Sequence, residues 1–147
     1  MMRMPEGIDL DVAAIGRGAL LGLAVVAPAS LADLALSEAA DIDEGWLVFT
    51  LFAAILAAFF LAGYKAARSA EGSPYTHGAL AGLAAFALWL PLRVATRALV
   101  GEQLLGREGD ATLKIVEALV TAGLFAMSFG IIGGFVAAMR NRRQAEQ

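Results

Sequence analysis

The stretch WLVFTLFAAILAAFFLAGY, Trp46–Tyr64, decides the fold. It holds no charged residue, and both ends are aromatic. At 1.5 Å per residue its terminal rings stand about 27 Å apart, close to the ~30 Å of bilayer hydrocarbon. Trp and Tyr in those places fit the aromatic belts at the two membrane–water interfaces. The stretch shows no alternation of apolar and polar residues, so it does not read as a barrel strand. Lipid offers the backbone no hydrogen bonds, and a helix satisfies its own.

Three more stretches have the same character. The predicted helices run about Val12–Leu36, Trp46–Ala67, Gly78–Val100 and Ile115–Met139, followed by a short tail over 140–147. Of the 147 residues, 59% are hydrophobic, against about 45–50% in a soluble domain. Mean hydropathy is +0.70. A soluble core of this size cannot hide that much apolar side chain. The expected fold is all-α: one transmembrane domain, a four-helix bundle. Asp43 and Asp110 are placed to cap the second and fourth helices, and Ser73-Pro74 reads as the start of the third. The polar connector Ser69–Thr76 is short, which makes the second and third helices antiparallel neighbours. Ahead of the first helix stand Glu6, Asp9 and Asp11 against Arg3 alone. A signal peptide carries a basic leader and a shorter apolar run, so this helix is expected to be retained.

Charge near the helix ends sets the orientation. Arg3, Arg17, Lys65, Arg68, Arg140, Arg142 and Arg143 collect on one side, and Arg93, Arg97, Arg107 and Lys114 on the other. Both termini are therefore expected in the cytoplasm, and the acidic segment Ser37–Gly45 outside. Arg outnumbers Lys nine to two, and Ala and Gly abound. That bias suits a high-GC bacterium, so the expected location is the bacterial plasma membrane.

The absence of Cys excludes disulfides, thiolate metal sites and cysteine nucleophiles. With one His, a three-ligand catalytic zinc site is not expected. No phosphate or dinucleotide fingerprint occurs, and no basic block points to nucleic acid. No cofactor is expected. The implied partners are the lipid bilayer and either a second copy or another membrane protein.

Arg17-Gly18-Ala19-Leu20-Leu21-Gly22-Leu23-Ala24 and His77-Gly78-Ala79-Leu80-Ala81-Gly82-Leu83-Ala84 agree at six of eight positions, 60 residues apart. Leu61–Ala67 aligns with Ile132–Ala138 at an offset of 71. The chain thus reads as two copies of a helical hairpin, both entering from the same side. The repeat is then parallel, with a pseudo-twofold axis along the membrane normal. Gly18 and Gly22, like Gly78 and Gly82, form small-xxx-small pairs that let helix backbones approach closely. The expectation is that the first and third helices touch through these pairs. Ala54, Ala58 and Ala62 make a similar stripe, as do Gly123, Gly130 and Gly134. Phe49, Phe52, Phe59 and Phe60 are expected to face lipid or a partner.

The 60-residue offset places Asp33 over Arg93. Each lies eleven residues beyond the second glycine of its pair, which is nearly three whole turns. Both therefore fall on the small-residue face, near the outer edge of the hydrocarbon. Arg97 follows one turn on, and Glu117, Thr121 and Ser128 share a stripe on the fourth helix. Two readings stand. Asp33 and Arg93 form an ion pair satisfied at the interface, with Arg snorkelling. Alternatively Asp33, Arg93, Arg97 and Glu117 line an outer vestibule for an ion or polar substrate. Pro91 removes a backbone hydrogen bond beside Arg93. His77 reads as a helix-start residue, and Trp89 as a packing or lipid-facing one.

At Ala62-Gly63-Tyr64 through Arg68 and at His77-Gly78-Ala79-Leu80-Ala81-Gly82, the chain resembles small uncharacterised four-helix integral membrane proteins of Gram-positive bacteria. The resemblance covers about twenty residues and the four-helix plan, and it implies no functional residues. Few polar groups are available to line a pathway through one protomer. The expected function is that of a non-enzymatic accessory or oligomerising membrane scaffold. The alternative is a small transporter or channel subunit.

Overall fold

In the computed structural model, residues 10–38, 44–70, 72–100 and 110–146 are described. They form four helices: α1 (Val12–Glu38), α2 (Glu44–Ser69), α3 (Pro74–Val100) and α4 (Asp110–Ala145). All four are long and apolar enough to cross a membrane. The class is all-α, a bundle of candidate membrane spans.

Local chemistry sets the helix ends. Asp11 caps α1: its Oδ1 accepts the Ala14 N–H at 2.9 Å, and its carbonyl accepts the Ile15 N–H. Ser73 opens α3 in the same way, its carbonyl accepting the His77 N–H, and Pro74 takes the first helical position, where no amide donor is needed. Between α2 and α3 the chain turns at Gly72, whose φ of 131° suits only glycine. α4 starts at Asp110. The Asp43 cap lies outside the described residues. α4 continues past Met139 into the tail and stays helical to Ala145, with Arg142 and Arg143 at its dipole-negative end. Pro28 and Pro91 both lie inside helices that continue through them. Neighbouring spans make such positions tolerable in a membrane bundle.

The helices alternate in direction. α2 and α3 form the central pair. α1 packs against both from one side and α4 from the other, and α1 and α4 do not touch among the described residues. The buried interior is mostly alanine: Ala58, Ala62, Ala66, Ala81, Ala85 and Ala126 are fully enclosed. Glycine brings the backbones closer still. A β-carbon on Gly63 or Gly78 would strike the Gly130 carbonyl, one on Gly133 the Phe60 carbonyl, and one on Gly82 the Ala126 carbonyl. Without a hydrophobic drive between helices in lipid, this close approach holds the bundle together through dispersion contacts.

The glycine pairs do not meet one another. Gly18 and Gly22 face Ala58, Ala62 and Ala66 on α2, with Ala85 of α3 also touching Gly22. Gly78 and Gly82 face Ala126, Gly130 and Gly134 on α4. α1 and α3 are neighbours, but each presents its glycines to the helix that follows it in the chain. The cause is connectivity: only five residues join α1 to α2, so those two must lie side by side. The two sets of contacts correspond: Gly18 with Ala62 and Ala66 matches Gly78 with Gly130 and Gly134, 60 residues on in α1/α3 and 68 on in α2/α4. The offset of 71 expected for α2 and α4 is thus three residues, nearly one turn, from the contact register. The two diagonals of the bundle also differ, since α2 meets α3 while α1 and α4 stay apart.

Phe59 is 2% exposed and belongs to the interior rather than facing lipid, whereas Trp46, Phe49 and Phe52 are outward. Trp46 stacks on Phe49 at 6.0 Å between centroids. At the other end of α2, the Tyr64 hydroxyl accepts from Arg140 at 3.4 Å.

Substitution at the glycines separates close approach from propensity. Gly63→Ala or Gly130→Ala should destabilise by about 1–3 kcal/mol, because backbone must move to admit the methyl group. Nothing stands within 4 Å of a β-carbon on Gly16. Gly16→Ala should therefore be neutral or stabilising by up to ~1 kcal/mol through helix propensity. Denaturant unfolding in mixed micelles checks both. Equal effects at Gly16 and Gly130 would remove close approach as the cause.

Candidate functional site

Beyond the glycine contacts, an aromatic cluster is built around Trp89. On α3, Phe86, Trp89, Leu90 and Arg93 recur at three- and four-residue spacing and share one face. Phe52, Ile55, Leu56 and Phe59 do the same on α2, and Ala118, Ala122 and Phe125 on α4. Together these faces enclose a trough of about 380 Å³ at the end of the bundle remote from the termini, partly open along one side. The volume falls within the ~300–1,000 Å³ of ligand pockets.

Aromatic edges set the floor. Phe59 meets Phe86 at 6.3 Å and 72°, and Trp89 at 6.5 Å and 77°. Phe52 meets Phe125 at 6.2 Å and 84°. These are edge-to-face arrangements, favoured by the ring quadrupoles. The guanidinium carbon of Arg93 lies 5.1 Å from the Trp89 centroid, in cation–π range. A shallower depression adjoins the trough, sharing Phe52, Ala118, Ala122 and Phe125 and adding Glu117 and Thr121.

Of the charged residues expected to form a vestibule, Arg93 thus lines the trough and Glu117 the depression beside it. Asp33 and Arg97 belong to the α1 and α3 backbones, but their side chains lie outside the described residues. Asp33 comes three residues after Ser30, and Arg93 four after Trp89. Because Ser30 bonds Trp89, these backbone positions stand at similar depth.

Among the described residues, that bond is one of two hydrogen bonds between the α1 and α3 segments of the chain. The Trp89 indole N–H donates to Ser30 Oγ at 2.7 Å, and Ser30 Oγ donates to the Val26 carbonyl at 2.9 Å. Trp89 is 7% exposed and therefore buried rather than lipid-facing. At the other end, His77 is fully buried. Its Nε2 accepts the Asp11 N–H at 2.9 Å, and its Nδ1 lies 2.8 Å from the Ser73 carbonyl, which fixes Nδ1 as the protonated nitrogen. His77 thus lies in the first turn of α3 and also completes the N-terminus of α1. Both ring nitrogens are engaged, and no group of three His, Cys, Asp or Glu side chains that could hold a metal occurs among the described residues. No buried side-chain N or O atom among them lacks a hydrogen bond.

Ser30, Asp11 and Phe59 were not singled out by sequence pattern for these roles. A signal existed for Ser30: it stands 59 positions before Trp89, almost the repeat offset, which puts two polar atoms at one level of parallel helices. Compared with known protein families, curated proteins and solved structures, the chain matches none.

Ser30→Ala leaves a buried indole N–H without its acceptor. It should lower stability by about 0.6 kcal/mol, the mean found for hydrogen bonds between membrane helices, and by no more than ~2 kcal/mol. Trp89→Phe removes the donor, so the double variant should be less destabilised than the sum of the single ones. Strict additivity in the unfolding cycle would mean the bond contributes nothing.

Proposed function

We propose that this chain is a non-enzymatic accessory protein of the bacterial plasma membrane, a scaffold that works through its outer helical surfaces on a partner or a second copy. The backbone-level closure of the bundle supports this best. Gly63, Gly78, Gly82 and Gly133 bring helices together with no space for even a methyl group. A protomer closed in this way offers a solute no route through those crossings. Ser30 and His77, the two buried polar side chains among the described residues, are occupied in joining α1 to α3. The outer surface is broad and apolar, with Trp46, Phe49, Val120, Leu124 and Phe135 all exposed. Such a surface is suited to lipid and to other membrane helices.

The excess of Lys and Arg at the terminal end supports a cytoplasmic location for both termini. The recurrence of the glycine contacts in the two hairpins supports an origin by duplication. A likeness to small four-helix membrane proteins of Gram-positive bacteria fits the same picture. The second reading, a small transporter or channel subunit, draws support from the trough beside Arg93 and Glu117. Copies assembled around a common axis would give it a path that one protomer lacks.

Reconstitution into vesicles separates the two. The scaffold should pass potassium, chloride and protons no faster than protein-free vesicles, and light scattering in mild detergent should show one defined assembly. Ion flux that disappears in Arg93→Gln would overturn the scaffold and select the subunit of a pathway. Reporter fusions at Gln147 and within 41–45 should report opposite sides, the C-terminus inside.

A further inference from the structure

We propose that the trough between α2, α3 and α4 binds a single zwitterionic aminophospholipid, with its phosphate at Arg93, its ammonium at Glu117 and one acyl chain along the aromatic floor. The site goes beyond the scaffold and does not depend on it. Three features define the ligand. The first is surroundings: the trough is cut into the flank of membrane-spanning helices, so what reaches it from the side is lipid. The second is polarity. From Phe86 to Arg93 the trough rises seven residues, about 10 Å, of the ~15 Å of hydrocarbon in one leaflet. Its deep end is walled by Phe59, Phe86 and Phe125, and its cation stands at the interfacial end. An amphiphile with its chain toward the midplane has the same order of parts.

The third feature is charge. Arginine presents planar donors that match phosphate oxygens, and the Arg93 guanidinium is held beside the Trp89 ring. A guanidinium can meet a phosphate through two parallel charge-assisted hydrogen bonds. Glu117 lies one depression away, across the shared walls of Ala118, Ala122 and Phe125. A carboxylate there disfavours a headgroup with net negative charge and favours one whose phosphate is followed by a primary ammonium, a three-donor cation. Phosphatidylethanolamine has that chemistry. Phosphatidylglycerol lacks the cation, and the methylated ammonium of phosphatidylcholine lacks the donors.

Native mass spectrometry of the full chain in mild detergent, titrated separately with these three lipids, tests the site. Phosphatidylethanolamine should be retained in one copy, ahead of the other two. Arg93→Gln should weaken its retention about tenfold, the worth of one charge-assisted hydrogen bond, and Arg93→Lys should fall between. Glu117→Gln should erase the preference for phosphatidylethanolamine over phosphatidylglycerol. Glu117 is exposed, so that variant leaves the packed interior intact and reads the site, not the fold. Ala122→Trp, filling the trough, should abolish retention of all three lipids with the helical circular dichroism kept. Equal retention of the three lipids overturns the proposal, as does a preference unmoved by Glu117→Gln. The chain has no cysteine, so Ala122→Cys also reports occupancy by a second copy. Disulfide-linked dimers through that position would overturn the lipid site. Ion flux in vesicles together with selective retention would overturn the scaffold alone.

Discussion

Gly130 sits where α2, α3 and α4 converge. A β-carbon on Gly63 from one side, or on Gly78 from the other, would run into its carbonyl. Three helices thus meet at one residue that has no side chain, and the geometry of the bundle follows from that meeting. Lipid tails solvate leucine as well as another helix does, so exclusion from water cannot hold spans together. What remains is the number of atoms brought to van der Waals distance, which is greatest when backbones touch. The alanines at Ala58, Ala62, Ala81, Ala85 and Ala126 extend the same close approach above and below the junction.

α1 depends on the junction less directly. It meets α2 through Gly18 and Gly22, and among the described residues it is joined to α3 by two hydrogen-bonded fasteners, one at its N-terminus and one at Ser30. Both fasteners use groups that would otherwise be costly in hydrocarbon: an indole N–H, a hydroxyl, and a backbone amide at a helix start. In a medium of low dielectric such groups favour the one arrangement that pairs them. Register between α1 and α3 is therefore set by polar contacts, and that between α3 and α4 by the absence of side chains.

The spans were legible because the bilayer imposes length and hydropathy on each helix separately. Trp46–Tyr64 needs no knowledge of its neighbours to be read. The partners of the glycines were not legible in this way. Gly18/Gly22 and Gly78/Gly82 have the same spacing, and the spacing marks a face without saying which helix lies against it. The short connections, which favour consecutive helices, were the stronger guide. Phe59 and Phe60 are adjacent and chemically identical, yet only Phe59 is buried; a 100° step around the helix decides this, and composition cannot. Trp89 was recognised as a packing or lipid-facing residue, but its bond to Ser30 requires the relative height of two parallel helices. Arg93 and Glu117 stood out as charges within apolar helices. The trough beside them depends on three helices together and has no sequence signature of its own.

An interior of glycine and alanine has a thermodynamic character unlike that of a leucine core. Neither residue has rotamers to freeze when helices associate, so the side-chain entropy that opposes packing elsewhere is close to zero here. The fit is consequently a property of the chain's path alone, with no repacking by which neighbours could absorb an added group. Variation at Gly63, Gly78, Gly82 and Gly130 can only enlarge them. The drift of sequence at this junction therefore has one direction, and each step along it pushes the helices apart.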